Sequence, residues 1–154
     1  MVSAAQPNPP GKDRATTLLG QTTELNDEWV ELLAQSDVNV RGLKVLHREF
    51  GASCVPLRTG LYFEFGDWFL PAGCSVRIHT GHGSAYWEGT RAHVFAGHGW
   101  FKWNNVCGDR VSLASAQGVV DHAEYAPRSP EGPLVRRWGT NQLVPAMLPQ
   151  AVRF

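Results

Sequence analysis

Proline placement constrains this chain most. Three of its ten prolines fall at positions 7 to 10 and five between 127 and 149, leaving only Pro56 and Pro71 in the middle. Proline has no N–H to give to a sheet ladder and breaks a helix interior. The proline-poor middle is therefore the expected folded body, residues 24–126, with extended arms at 1–23 and 127–154. A chain of 154 residues holds one domain with a real core and leaves little room for two.

Inside the body the hydrophobic pattern has the period of strands. In "SVRIH", Val76 and Ile78 point one way while Arg77 and His79 point the other. "WVELL" puts Val30 and Leu32 on one face, and "RVSLA" does the same with Val111 and Leu113. "LYFEF" and "GVVDHAEY" carry the aromatic and β-branched residues that suit a pleated surface. Turn signals recur between them: Asp37, Arg41-Gly42, Arg58-Thr59-Gly60, Phe65-Gly66-Asp67, Pro71-Ala72-Gly73, Gly81 to Gly83, Cys107-Gly108-Asp109 and Gln117-Gly118. About seven to nine short strands at this spacing predict an all-β sandwich or barrel. "EGTRAHVFAGHGWFK" is longer than a minimal connection and is expected to be a loop excursion.

Whole classes of function fall away on composition. The formal net charge is zero, which argues against a duplex nucleic-acid partner held by phosphate contacts. No run approaches the ~18 apolar residues of a membrane span, and "MVSAAQPNPPGKDR" has no apolar segment of signal type, so a soluble, unprocessed chain is expected. Cys54, Cys74 and Cys107 form no C-x-x-C pair; two of them can bridge, but free buried thiols are the expectation.

Candidate chemistry gathers in two places. "HTGHG" and "HVFAGHG" make His79, His82 and His98 the suspects for a metal, but no acid lies beside them, so exposed loop histidines are the default and no metal or cofactor is expected. In "WNNVCGD", Cys107 with His122, oriented by Asp109 or Asn105, would be a nucleophile pair; Asn and Asp beside Gly108 more often tie their own backbone in a turn. Glu28 and Glu31 cannot share a strand face as a glycosidase pair would. There is no P-loop, dinucleotide fingerprint or serine elbow, and no enzyme is expected.

Four stretches in order, "LNDEWVELLAQSDVNVRGLKV", "FLPAGCSVRIHTGHG", "AYWEG" and "KWNNVCGDRVSLASAQGVVDHAEY", resemble the lamin-tail domain family over about 100 residues. The resemblance implies an immunoglobulin-like β-sandwich. Within it Trp103, Asn104, Asn105, Gly108 and Asp109 would form a structural corner, with Trp87 at an edge. Leu43 stands where that family often has Trp, and Cys107 where a Thr or small residue is common. No heptad rod, basic localisation cluster or prenylation box is present, so a nuclear lamina role is not implied.

The resemblance implies a non-catalytic attachment module. Combined with the arms, it predicts a structural or adhesion protein of a larger assembly: a phage-type virion component, minor tail or capsid-decorating, and otherwise cytoplasmic. Its partners would be other protein subunits. The apolar, proline-broken stretch 127–154 would be a strap along its own domain or a neighbour, with Arg136, Arg137, Trp138 and Phe154 as anchors. The alternative is a free-standing module binding a cell-surface glycan, or DNA, through its aromatic loops; exposure of Trp87 and Trp100 would favour it. A Cys/His or metal-dependent hydrolase is the third reading.

Overall fold

The computed structural model describes residues 1–12 and 24–146. Phe154 lies outside them. Their strands are β1 (Val2–Gln6), β2 (Trp29–Leu33), β3 (Val38–Asn39), β4 (Lys44–Phe50), β5 (Pro56–Glu64), β6 (Phe69–Leu70), β7 (Ser75–His79), β8 (Tyr86–Glu88), β9 (Arg91–Phe95), β10 (Asp109–Ser115), β11 (Gly118–Tyr125), β12 (Leu134–Arg136) and β13 (Leu143–Pro145). They make a seven-stranded sheet, β13-β12-β1-β2-β7-β9-β8, a four-stranded sheet, β11-β10-β4-β5, and a two-stranded ribbon of β3 and β6. The architecture is an all-β sandwich, as the alternation predicts. Among the described residues no helix is long and apolar enough to cross a membrane.

One core lies between the two large sheets. Val30, Leu32, Val76 and Ile78 face inward from one, and Val45, Tyr62, Val111, Leu113 and Ala123 from the other. Each is an in-facing position of a period-2 strand, which is why "SVRIH" and "RVSLA" were legible. Tyr62 keeps its hydroxyl satisfied inside by donating to the Ile78 carbonyl at 3.0 Å and meeting Thr80 Oγ1 at 2.9 Å. The outer face of the larger sheet is polar: Glu31 pairs with Arg77 at 3.1 Å and Arg91 at 2.7 Å, and the Arg77 guanidinium lies 3.7 Å over the Trp29 ring.

Three expectations need correction. Both arms contribute strands: β1 pairs with β2 and β12, and β13 closes that edge. Ala4 and Ala5 gave no alternation signal, and Pro7, Pro9 and Pro10 sit just past β1, where a missing N–H breaks no ladder bond. Arg58-Thr59-Gly60 is no turn; it runs through β5, where a Cβ on Gly60 would stand 2.7 Å from His47 Nε2. That glycine serves close approach across the β4–β5 pair. The expected excursion after Glu88 is instead β9, running parallel to β7, with β8 folded back on it as the edge strand.

Candidate attachment surfaces and the corner beneath them

"WNNVCGD" is a structural corner. Asn104 Oδ1 accepts from the backbone N–H groups of Val106 (2.9 Å) and Cys107 (2.7 Å), closing the turn. Asn105 offers its carbonyl to the Ser129 N–H at 2.9 Å, which fastens the chain leaving β11. Gly108 has φ +72°, and a Cβ there would lie 2.6 Å from the Tyr125 carbonyl oxygen, so only glycine fits. Asp109 is buried and accepts from the N–H of Arg48 at 2.9 Å and of Arg110 at 2.7 Å; burial still pushes its carboxyl up to about 6. Trp103 is buried, edge-on to Tyr62 with ring centroids 4.9 Å apart.

Beneath Trp103 lies a buried ion pair that no local pattern marks. Glu28 is 0% exposed and meets Lys12 Nζ at 2.8 Å. The carboxylate also accepts from Thr80 Oγ1 (2.8 Å) and the Lys102 N–H (2.8 Å). Lys12 spends its other two protons on the carbonyls of Pro7 (2.6 Å) and Trp103 (2.7 Å). Burial drives the Glu28 pKa upward, with Lys12 and these hydrogen bonds opposing. The pair fixes the segment after β1 to the corner.

Cysteine is the other correction. Cys54 and Cys107 are joined in a disulfide, and Cys74 is free. Their separation of 53 residues hid the pairing, since proximity arises only when the 51–55 loop folds onto the corner. The sulfur of Cys107 is therefore not a free thiolate. His122 stands opposite Ser112, three residues (about 10 Å) along β11 from the Asp109–Tyr125 pair, and its Nε2 meets Asn141 Nδ2 at 3.2 Å. The two halves of the nucleophile pair are not brought together.

The three metal suspects, His79, His82 and His98, do not converge either, although His79 meets His93. His79 Nδ1 bonds the Asn26 carbonyl at 2.7 Å and its Nε2 meets His93 Nδ1 at 2.8 Å, whereas His98 Nε2 donates to the Tyr62 carbonyl at 2.8 Å. Burial lowers the pKa of His79 first of all. Among the described residues no cluster of three or more His, Cys, Asp or Glu is placed to hold a metal ion.

The anchor candidates separate sharply. Arg136 turns inward: its Nη1 meets Asp121 Oδ2 at 2.7 Å and the Val2 carbonyl at 3.0 Å, Nη2 meets Asp121 Oδ1 at 3.2 Å, and Nε meets the Thr140 carbonyl at 2.8 Å. It is a clamp on the β12–β13 hairpin, bidentate as only Arg can be. Arg137 is exposed, and Trp138 at the hairpin tip is 97% exposed. Trp100 (68%) and Trp87 (49%) also face solvent. Trp100 borders an open cleft of about 380 Å³ with Arg48, Glu49, Phe50, Lys102 and Asn104.

A second cavity, about 300 Å³ and largely apolar, opens between the sheets at one end of the sandwich. Leu33, Val40, Leu70 and Leu113 line it, with Val120 at the surface. Nothing in the sequence marks it, because its walls come from strands of both sheets and the β3–β6 ribbon.

Compared with known proteins, the chain matches no family model and no curated protein.

Proposed function

We propose that this is a non-catalytic structural or adhesion protein of a larger assembly, a virion-type component that attaches through its β12–β13 hairpin. The observation that carries the reading is Trp138. A fully exposed indole costs solvation, yet this one sits on a short hairpin held by Arg136. Trp and Arg dominate interface energetics, and Arg137 stands beside it. The lamin-tail-like, immunoglobulin-like assignment is part of the proposal; the two-sheet core and the Trp103–Asp109 corner support it. The Cys54–Cys107 disulfide supports a working place outside the reducing cytosol, of which a particle surface is one.

Leu134 and Leu143 belong to the core, so removing the hairpin would cut into the fold and a point substitution is needed. The test is Trp138→Ala in the full chain. Particles from the producing culture are separated on a density gradient; the wild-type chain migrates with them, and the folded variant stays at the top. A wild-type chain found only free, or a variant incorporated equally, refutes the reading.

Exposed Trp100 beside Glu49, Lys102 and Asn104 favours a second reading, a glycan-binding face, because sugars stack on indoles and hydrogen-bond to such rims. Its check is a glycan array with Trp100→Ala as control; no bound glycan, or binding indifferent to the substitution, removes it.

A further inference from the structure

We infer that the apolar cavity at the end of the sandwich receives the Trp138 indole of a second copy of this chain, so that two copies exchange tryptophans about a two-fold axis. The inference rests on the hairpin being the attachment element and names its partner.

Strand register places knob and hole together. Ala4 pairs with Val135 and Val2 with Leu32, so the hairpin beyond Arg136 rises at the level of Met1 and Leu33. Those two residues line the cavity, and Trp138 therefore stands at the same end of the sandwich, displaced sideways by the width of β1. Trp138 is nonetheless 97% exposed, so it does not fill the cavity of its own chain. A protruding group and a recess that share one end are satisfied reciprocally by a two-fold contact, which closes at two copies.

Size and chemistry agree. A cavity of about 300 Å³ is at the small end of ligand pockets and suits one large side chain better than a drug-sized molecule. Its lining includes no charged side chain. Charge complementarity lies on the rim: Arg137 accompanies Trp138, and the exposed Asp37 sits between the cavity residues Ser36 and Val38. In the exchange Arg137 of one copy reaches Asp37 of the other. Exposed Val120 at the cavity mouth extends the apolar contact.

Area sets the strength. Two indoles bury about 150–250 Å² each, and with the cavity walls they cover the contact stays near or under the ~1,200 Å² of weak interfaces. The dimer is accordingly weak, and multivalent display in an assembly would strengthen it.

Sedimentation equilibrium of the full chain up to about 1 mM tests this, since a dissociation constant of ~1 mM is still visible there. The expected wild-type result is a concentration-dependent monomer–dimer equilibrium. Trp138→Ala removes the knob and Val120→Arg blocks the mouth at an exposed position; each is expected to be monomeric. A monomeric wild type, or dimerisation unchanged in either variant, overturns the inference. If the wild type is monomeric and Trp138→Ala still leaves the particle fraction, a different partner holds the hairpin and the functional reading survives. If neither effect is seen, both fall.

Discussion

Opening the Cys54–Cys107 bridge has a calculable cost. The disulfide closes a loop of 53 residues. Loop-closure entropy for that length gives about 4 kcal/mol at 25 °C in the chain-entropy account. In a domain of this size each kcal/mol moves the melting midpoint by about 2–4 °C, so reduction is expected to lower it by roughly 8–16 °C. The comparison is made in a Cys74→Ala background, which leaves no free thiol to exchange, by differential scanning calorimetry with and without reductant. The Cys54→Ala/Cys107→Ala double variant reproduces the reduced midpoint and no longer responds to reductant. Exposed Cys54 makes the bond accessible to small thiols. The reasoning is refuted if the unreduced, denatured Cys74→Ala protein carries two alkylatable thiols, or if reduction leaves the midpoint in place.

Lys12→Met strands the Glu28 carboxylate in the core and is expected to cost about 3–5 kcal/mol at neutral pH, measured by urea unfolding. Because burial already raises the Glu28 pKa, folding favours its protonated form, so the deficit shrinks as pH falls and Glu28 takes up a proton. Asp109, raised to about 6, makes the native state hold a proton that the unfolded chain has released. Stability is therefore expected to fall by about 3 kcal/mol as pH rises from near 4 to above 6, and Asp109→Asn removes that component of the pH profile. Gly60→Ala forces a methyl against His47 and Glu49 across β4 and β5 and is expected to cost about 1–3 kcal/mol in chemical denaturation, where a turn glycine would tolerate it.

The sandwich was legible where side chains alternate over several residues, as in β2, β7 and β10. Other strands escaped for separate physical reasons. β1 is built from small residues whose burial depends on neighbours distant in sequence, and β12 and β13 span three residues each, too short for a period. β9 was hidden because Gly97 and Gly99 follow it closely and mimic a loop. Gly60 read as a turn because a glycine set by steric closeness looks like one set by backbone conformation. At the corner, Asn104, Gly108 and Asp109 were recognisable because their bonds are local. The partners Cys54–Cys107, Lys12–Glu28 and Arg136–Asp121 are long-range, and no window of sequence contains them. Trp138 and Arg136 are alike as anchors on residue type, and only geometry separates the presented group from the clamp.

β1 lies third from one edge of the seven-stranded sheet, between β2 and β12. The first neighbour is close in the chain, whereas the second, around Val135, is made about 130 residues later than Ala4. At ribosomal rates of about 5–20 residues per second, that leaves a row of open amides and carbonyls waiting roughly 6–26 s during synthesis. Such an edge is a template for any stray strand. The molecule's exposure to mispairing is thus a matter of timing: an edge that the finished fold covers stays open through most of the chain's manufacture.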